Sequence, residues 1–244
     1  MTHPDWIVPD WPAPRNVRAL VTTRAGGASR GAYASLNLGL RCGDDDAAVR
    51  ENRARLERAL PQPPKWLAQV HGTTVVEADR LDHVPAADAA VARAPGTVCA
   101  VMIADCLPVL LCDASGTTVA VAHAGWRGLA AGVIENTVAA MNVNPDELVA
   151  YLGPGIGPRA FEVGAEVREA FVARDEEAAA AFAPARAGKW LADLFSLARR
   201  ALARVGVDRV HGGGLCTYTD TARFFSYRRD RATGRMAALI WRDR

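Results

Sequence analysis

Three residues whose side chains bind transition metals lie at the ends of apolar segments of this chain. Cys106 follows the apolar run Val98–Ile103, His123 ends the run Val119–Ala122, and His71 ends the segment WLAQV. Runs of this length and composition predict buried strands. Zinc binds cysteine thiolates and histidine imidazoles, and a catalytic zinc site uses three protein ligands and leaves a fourth position open. The three residues could therefore form a metal site, although separations of 35 and 17 residues do not show that they converge.

The same residues also fit a cysteine nucleophile. His123 or His71 would be the base, and Asp105 or another acid would orient the imidazole. Both chemistries need a thiolate near an imidazole, so the sequence does not separate them. Asp105, directly before Cys106, is a candidate catalytic residue that would move a proton, and a structural role for it is equally compatible with its position.

Copper is a third alternative, because two histidines and a cysteine with an axial methionine form a known copper site. Met102 or Met236 would be the axial ligand. A multicopper oxidase with several copper centres is excluded, because the chain has only five histidines and one of them, His3, lies in a proline-rich lead-in.

Two short motifs superficially match those of serine hydrolases. The segment around Ser29, GASRG, has the form GxSxG, and His211 begins an HGGG sequence. In lipases, which contain both motifs, the HGGG oxyanion element precedes the nucleophile, and the serine lies on a turn between a strand and a helix. Here the order is reversed and no helical pattern follows Ser29, so we set this interpretation aside.

Polar residues beside glycines are candidates for binding an anionic substrate. Arg24 and Arg127 are flanked by glycines, which allow a ligand to approach the backbone and leave the guanidinium free to bind an oxyanion. Asn37, in SLNLG, is either a turn former or a ligand donor. We predict Arg24, Asn37 and Arg127 as substrate or phosphate ligands.

Composition limits the class of protein. Half of the 244 residues are hydrophobic and no linker divides them, so we expect a single domain spanning 1–244 with an irregular lead-in at 1–16. The formal charge of +2 does not predict nucleic acid as a partner. There is no apolar run long enough to cross a membrane and no signal peptide, and the five cysteines form no CxxC pair. We therefore expect a cytoplasmic protein with a small-molecule substrate, whose oligomeric state is open and for which a monomer is plausible.

Elements that would position these residues follow from hydrophobic periodicity. A helix should begin near Asp44–Asp46, and another, Leu129–Met141, should start just after His123, where its free amide groups would favour an anion. The expected strands include Val17–Thr22, Lys65–Val70, Thr73–Glu77, Thr97–Ala104, Val109–Cys112, Thr117–Ala122, Leu148–Leu152, Phe224–Arg228 and Met236–Trp241, and further helices are expected at Glu166–Phe182 and Asp193–Val205.

Long motifs in order along the chain resemble the YfiH-like family, also called laccase-domain proteins. These motifs are TTRAGGASRGAYASLNLG, QVHG, ADCLPVLLCD, AHAGWRG, YLGPGIGP with FEVG, and CTYTD with RFFSYRRD and TGRMAALIW. The resemblance implies an α+β fold, a four-layer α/β/β/α sandwich with mixed sheets. It also implies that His71, Cys106 and His123 are metal ligands, with Zn2+ as the metal and copper as a less favoured alternative.

The resemblance further implies an activity. Members of the family are described as zinc-dependent purine nucleoside phosphorylases, which cleave adenosine, inosine and methylthioadenosine with phosphate to the free base and ribose 1-phosphate, and which also deaminate adenosine. Other members are described as peptidoglycan editing factors, and older descriptions call the family polyphenol oxidases. We expect a purine nucleoside and phosphate as substrates, with an editing hydrolase as the alternative.

Overall fold

The computed structural model describes residues 3–186 and 188–244, so the first two residues of the predicted lead-in lie outside the described residues. The strands are β1 (Val17–Val21), β2 (Val75–Glu77), β3 (Ala89–Ala92), β4 (Cys99–Ile103), β5 (Leu107–Asp113), β6 (Val119–Ala124), β7 (Leu148–Leu152), β8 (Glu162–Gly164), β9 (Phe182–Pro184), β10 (Lys189–Ala192), β11 (Arg209–Gly212) and β12 (Met236–Arg242). The helices are α1 (Asp46–Glu57), α2 (Trp126–Ala131), α3 (Val133–Met141), α4 (Ala165–Val172), α5 (Leu194–Arg204) and α6 (Tyr227–Asp230). No helix in these described ranges is both long enough and apolar enough to cross a membrane.

Three sheets organise these strands. The largest has the order β11-β7-β5-β6-β3-β2 and contains both parallel and antiparallel neighbours, the second has the order β1-β12-β4, and the third is the small sheet β8-β10-β9. In the β5-β6 hairpin Leu107 lies opposite Ala124, so Cys106 and His123 come to the same end of the sheet. Ala89 pairs with Ala122 on one side and with Val75 on the other, which brings the segment before β2 to that end as well.

Alternating side chains of the strands fill three apolar layers. In β12 the side chains of Met236, Ala238 and Ile240 pack between the two larger sheets, while Ala237 and Leu239 pack on the other side with Leu56 of α1 and with Leu36 and Leu38. The outer face of the six-stranded sheet packs against α2 to α5. The order of layers is therefore helix, sheet, sheet, helix, and the predicted α/β/β/α sandwich is confirmed.

Several predicted elements differ from the structure for identifiable reasons. The predicted strand Phe224–Arg228 is wrong, because the two phenylalanines are buried in an irregular segment and Ser226 caps α6 through a hydrogen bond from Arg229 N. The predicted helix Glu166–Phe182 ends at Val172 and is followed by a 3-10 turn and β9. Lys65–Val70 forms only isolated bridges instead of a strand.

Asn52 of α1 joins the helix to the glycine-rich loop that precedes it. Its side chain is fully buried, accepts a hydrogen bond from Ala28 N (2.7 Å), and donates to Ser29 Oγ (2.9 Å), Ser35 O (3.1 Å) and Asn37 O (2.8 Å). Buried polar groups that lose their partners each destabilise a fold by about 1–3 kcal/mol. This amide therefore holds the loop in place.

Replacing Asn52 with alanine should lower the free energy of unfolding by about 2–4 kcal/mol, since several buried loop groups lose their partner at once. Chemical denaturation monitored by circular dichroism measures this. Arg50→Ala, at an exposed position of the same helix, is the control and should change stability by less than about 0.5 kcal/mol. An Asn52→Ala protein as stable as the control would show that the loop does not depend on this amide.

Candidate metal centre

His71, Cys106 and His123 lie together. One potential ligand atom from each falls within 4.8 Å of the other two. The Sγ atom of Cys106 is 3.7 Å from Nε2 of His71, and the two imidazole rings have centroids 4.9 Å apart and an interplanar angle of 71°. Three residues that are distant in sequence thus form one compact donor set.

The spacing of this set fits a tetrahedral metal ion. Zinc bonds of about 2.3 Å to sulfur and 2.0–2.1 Å to nitrogen place the two ligand atoms roughly 3.6 Å apart. The separation between Cys106 Sγ and His71 Nε2 is 3.7 Å. A thiolate and two imidazoles are also the ligand types that zinc and related ions prefer, so the residues could hold such an ion.

A carboxylate fixes the orientation of His123. The Nδ1 atom of His123 lies 2.8 Å from Oδ1 of Asp88, and the main-chain N–H of His123 donates to the carbonyl oxygen of Asp88 at 2.7 Å. Both side chains are buried. Because Nδ1 is hydrogen-bonded, Nε2 is the nitrogen left for a metal ion, in the arrangement common to zinc-binding histidines.

Asp88 also fixes the segment that carries His71. Its two carboxylate oxygens accept main-chain hydrogen bonds from Val70 (3.1 Å), His71 (2.9 Å) and Gly72 (2.7 Å). His71 adopts a left-handed backbone conformation, with φ of 60°, so that three consecutive amides can point at one carboxylate. One acidic residue therefore positions two of the three potential ligands.

Asp88 is not among the functional residues that the sequence predicts. Asp105 or another acid is expected to orient a histidine, and in the structure the carboxylate bonded to His123 is that of Asp88. The available signal was a single acid in the apolar stretch AADAAVA, since a charged residue inside a buried run must be paired.

The charges in the cluster shift one another's pKa values. Burial alone would raise the pKa of Cys106, but the positive charge of His123 and hydrogen bonds from both histidines outweigh it and lower the pKa. Burial alone would lower the pKa of His123, but the Cys106 thiolate and Asp88 raise it. Both shifts favour a thiolate beside an imidazolium in the metal-free site, and the thiolate is the form of cysteine that binds a metal.

Glycine is required beside the cluster. A Cβ atom on Gly125 would lie 2.8 Å from Cys106 Sγ and 3.0 Å from His71 Cδ2, and one on Gly128 would lie 2.8 Å from the carbonyl oxygen of Gly72. The predicted helix Leu129–Met141 is in fact two helices, α2 and α3, which are separated by Gly132 at φ of 106°. The sequence AGWRG thus places the start of α2 directly against the donor set.

Asp105 is not part of this donor set within the described residues. Its carboxylate accepts hydrogen bonds from Thr217 Oγ1 (2.6 Å), Ser226 Oγ (2.7 Å) and Arg228 N (2.6 Å), and its backbone has a φ of 98°. With three donors already bound, the carboxylate anchors the C-terminal segment next to Cys106. These contacts favour the structural role over the predicted proton transfer.

Asn37 is buried and its side chain is already hydrogen-bonded. Its amide donates to Asp44 Oδ2 (3.0 Å) and accepts from the main-chain N–H of Gly39 (3.0 Å) and Arg235 (2.8 Å). A substrate would have to replace these contacts. Of the two roles that the sequence allowed for Asn37, the structure favours the turn former.

The two predicted arginines differ in availability. Arg24 donates through Nε to Ala34 O (2.8 Å) and through Nη1 to Thr221 O (3.0 Å). Arg127 is exposed and stacks on the ring of Trp126, with its guanidinium carbon 4.4 Å from the ring centroid. Within residues 3–186 and 188–244 it has no ion pair, so Arg127 is the more available of the two for an anion.

Neither candidate axial methionine supports the copper alternative. The Sδ atom of Met236 is buried and accepts a hydrogen bond from Phe225 N at 3.1 Å, and that of Met102 is 3.9 Å from Nη2 of Arg53. Both sulfur atoms therefore have other partners.

The chain is similar to known proteins over nearly its whole length. Residues 18–243 match the family described as multi-copper polyphenol oxidoreductase laccase. The chain is 60% identical over 237 residues to a purine nucleoside phosphorylase of Pseudomonas aeruginosa, with 97% of this chain and 98% of that protein covered. It is 57% identical over 238 residues to the purine nucleoside phosphorylase YfiH of Escherichia coli K12, with 96% and 98% covered.

A crystal structure of a Neisseria meningitidis protein from the DUF152 family has the same fold. It superposes with a TM-score of 0.97 at 55% identity and covers 98% of this chain and 100% of that chain. The architecture described above is therefore shared over essentially the whole length.

Replacing Asp88 with asparagine should weaken Zn2+ binding by about 10- to 100-fold, because loss of an acid that orients a ligating histidine typically has this effect. Competition with a chromogenic chelator measures the dissociation constant directly. Asp79→Asn is the matched control, since Asp79 also accepts two main-chain hydrogen bonds, from Arg93 and Ala94, at the other end of β3. Equal zinc affinities of the two variants would contradict a positioning role for Asp88.

Cys106 of the metal-free protein should react with iodoacetamide faster at pH 7 than Cys99 or Cys112, which are buried and have raised pKa values. An ordinary thiol becomes almost tenfold less reactive when the pH decreases from 8 to 7, because its thiolate is protonated. Because the pKa of Cys106 is lowered, its rate of alkylation should decrease by much less over the same range. Peptide mass spectrometry gives the rate at each cysteine.

Added Zn2+ should protect Cys106 from this alkylation and leave Cys216 reactive. Cys216 is half-buried, also has a lowered pKa, and is absent from the donor set. It therefore serves as an internal control. Alkylation of Cys106 at an unchanged rate in saturating zinc would show that its sulfur is not a ligand.

Proposed function

Since the chain belongs to the laccase-domain, YfiH-like family, we propose that it is a zinc-dependent purine nucleoside phosphorylase. The observation that carries this proposal is the convergence of His71, Cys106 and His123 in a chain whose close relatives are named phosphorylases of this kind. The proposed substrates are phosphate and adenosine, inosine or methylthioadenosine. We place the enzyme in the cytoplasm, as the cysteine content predicts.

In the proposed reaction a phosphate oxygen forms a bond to C1′ of the ribose while the bond from C1′ to the purine nitrogen breaks. The products are ribose 1-phosphate and the free base, which takes up a proton. A zinc ion bound by the three residues would act as a Lewis acid for an oxyanion and help to orient it. The reaction otherwise depends on holding phosphate and nucleoside in line.

The residues of the chain have distinct roles in this proposal. Cys106 and the Nε2 atoms of both histidines bind the metal, and Asp88 holds both histidines in place. Arg127 binds phosphate, because it is exposed and comes two residues after Gly125, which borders the site. The absence of a side chain at Gly125 leaves the substrate space beside the sulfur.

We also propose adenosine deamination as a second activity of the same site, as the family resemblance implies. A peptidoglycan editing hydrolase is the alternative function. It predicts hydrolysis of cell-wall precursors that contain a misincorporated amino acid, independent of phosphate. Assaying nucleosides and such precursors in parallel, with and without phosphate, separates the two.

A cysteine hydrolase is favoured by one specific observation. Asp88, His123 and Cys106 have the residue types of an acid, base and nucleophile triad, and Oδ1 of Asp88 lies 2.8 Å from Nδ1 of His123. A triad, however, has no role for His71, whose Nε2 lies 3.7 Å from the same sulfur atom. Two imidazoles and one thiolate whose ligand atoms lie close together form a ligand set that zinc prefers, so we favour the zinc enzyme.

Replacing His71 with alanine should decrease phosphorolysis of inosine by about 100-fold or more, since a metal ligand is lost while the Asp88, His123 and Cys106 contacts remain. Release of hypoxanthine from the zinc-loaded protein, in the presence and absence of phosphate, is the measurement. His83→Ala is the control, because His83 is exposed, pairs with Asp82 and is not in the donor set of the described residues. If His71→Ala retained full activity but alkylation of Cys106 abolished it, the cysteine hydrolase would replace the zinc enzyme.

A further inference from the structure

The contacts of Arg228 leave part of its guanidinium available for phosphate in the proposed phosphorylase, and the geometry points to this residue as a second cationic ligand. We infer that its guanidinium, with that of Arg127, binds the phosphate substrate, a role for which the sequence instead predicts Arg24. This inference rests on the proposed function and names the phosphate ligand within it.

The main chain of Arg228 is hydrogen-bonded to the residue that precedes Cys106. Its backbone N–H donates to Oδ2 of Asp105 at 2.6 Å, and Asp105 directly precedes the potential ligand Cys106. The carboxylate of Asp105 is buried and is bound by Thr217 and Ser226 as well. The main chain of Arg228 is therefore fixed next to Asp105, the residue that precedes Cys106, although the two segments are more than 120 residues apart in sequence.

The guanidinium of Arg228 contacts a main-chain oxygen and an aromatic ring, but no carboxylate neutralises its charge within the described residues. Its Nη1 atom donates to the main-chain oxygen of Glu162 at 2.6 Å, and its carbon lies 5.1 Å from the centroid of the Phe161 ring. The carboxylate of Glu162 binds Arg186 instead, at 2.8 Å from Nη2. Among the described residues Arg228 has no acidic partner, so its Nε and Nη2 atoms present an open edge that matches two oxygens of a phosphate.

Arg229 and Arg24 do not combine an unpaired charge with free Nε and Nη2 atoms. Arg229 donates to the main-chain oxygens of Thr217, Tyr218 and Phe224 and pairs with Asp230, so its charge and its donors are used within the loop. Arg24 uses Nε for Ala34 O, which blocks the edge that Arg228 leaves open. Partial burial of a guanidinium without a counter-ion costs free energy, and a bound anion would offset that cost.

The test is kinetic and uses the zinc-loaded full-length enzyme with inosine and inorganic phosphate. Arg228→Gln keeps the backbone N–H that binds Asp105, and should raise KM for phosphate by about 10- to 100-fold, because a charged bidentate contact is lost. KM for inosine should change by less than about twofold, since that substrate is neutral. Arg228→Lys keeps the charge without the bidentate geometry and should give an intermediate KM for phosphate, which also covers the case in which the glutamine variant does not fold.

Arg209→Gln is the matched control. Arg209 likewise donates to one main-chain oxygen, that of Glu147 at 2.7 Å, but it lies at the end of the six-stranded sheet opposite to Cys106. Its loss removes the same charge and should leave both KM values unchanged. An unchanged KM for phosphate in both Arg228 variants, or an equal rise for inosine and phosphate, would overturn the inference.

Direct binding separates this inference from the proposed function. Isothermal titration of inorganic phosphate into the zinc-loaded wild-type protein and Arg228→Gln should show binding that is lost in the variant. If the wild type binds phosphate through Arg228 but cleaves no nucleoside, the anion site stands and the proposed reaction fails. If the wild type cleaves nucleosides and Arg24→Gln, not Arg228→Gln, weakens phosphate binding, the reaction stands and the inference fails.

Discussion

The site depends on one buried carboxylate. Asp88 is inaccessible to solvent and receives four hydrogen bonds, three from the consecutive amides of residues 70–72 and one from His123. A buried carboxylate without such partners would be strongly unfavourable. The chain before β2 must therefore curl around it, and this requirement explains the left-handed conformation of His71. Burial of one charge thus determines where two potential ligands lie.

Sequence patterns predict the parts of the fold that local apolar runs determine. The β5-β6 hairpin follows from two consecutive apolar segments with a short connection, so Cys106 and His123 could be predicted at neighbouring strand ends. The position of His71 near these two residues could not be predicted from apolar runs, because it depends on the pairing of β2 and β6 with β3. That strand, Ala89–Ala92, is buried on both faces and consists mostly of alanine, which has little strand preference.

Long-range contacts explain the remaining differences. The position of Asp105 beside Cys106 allows either proton transfer or a structural role, and the contacts that favour the structural role come from Thr217 and Ser226, which lie more than 110 residues later in the chain. The same contacts explain why Phe224–Arg228 is not a strand, since Ser226 bonds to Asp105 and caps α6 instead of following a sheet register. No local propensity encodes such a pairing, whereas the apolar pattern of the flanking strands was sufficient to predict their location.

Exposure and charge around the donor set indicate how it would work. His123 is buried, Cys106 is partly exposed and His71 is exposed, so the open side of the cluster is the side of His71. Structural zinc sites are closed by four protein ligands, whereas catalytic sites have three and an accessible fourth position. One thiolate with two neutral imidazoles leaves a divalent ion with one positive charge, which a second thiolate would cancel. Because that remaining charge attracts an oxyanion, this ligand set is better suited to binding phosphate than to stabilising the fold.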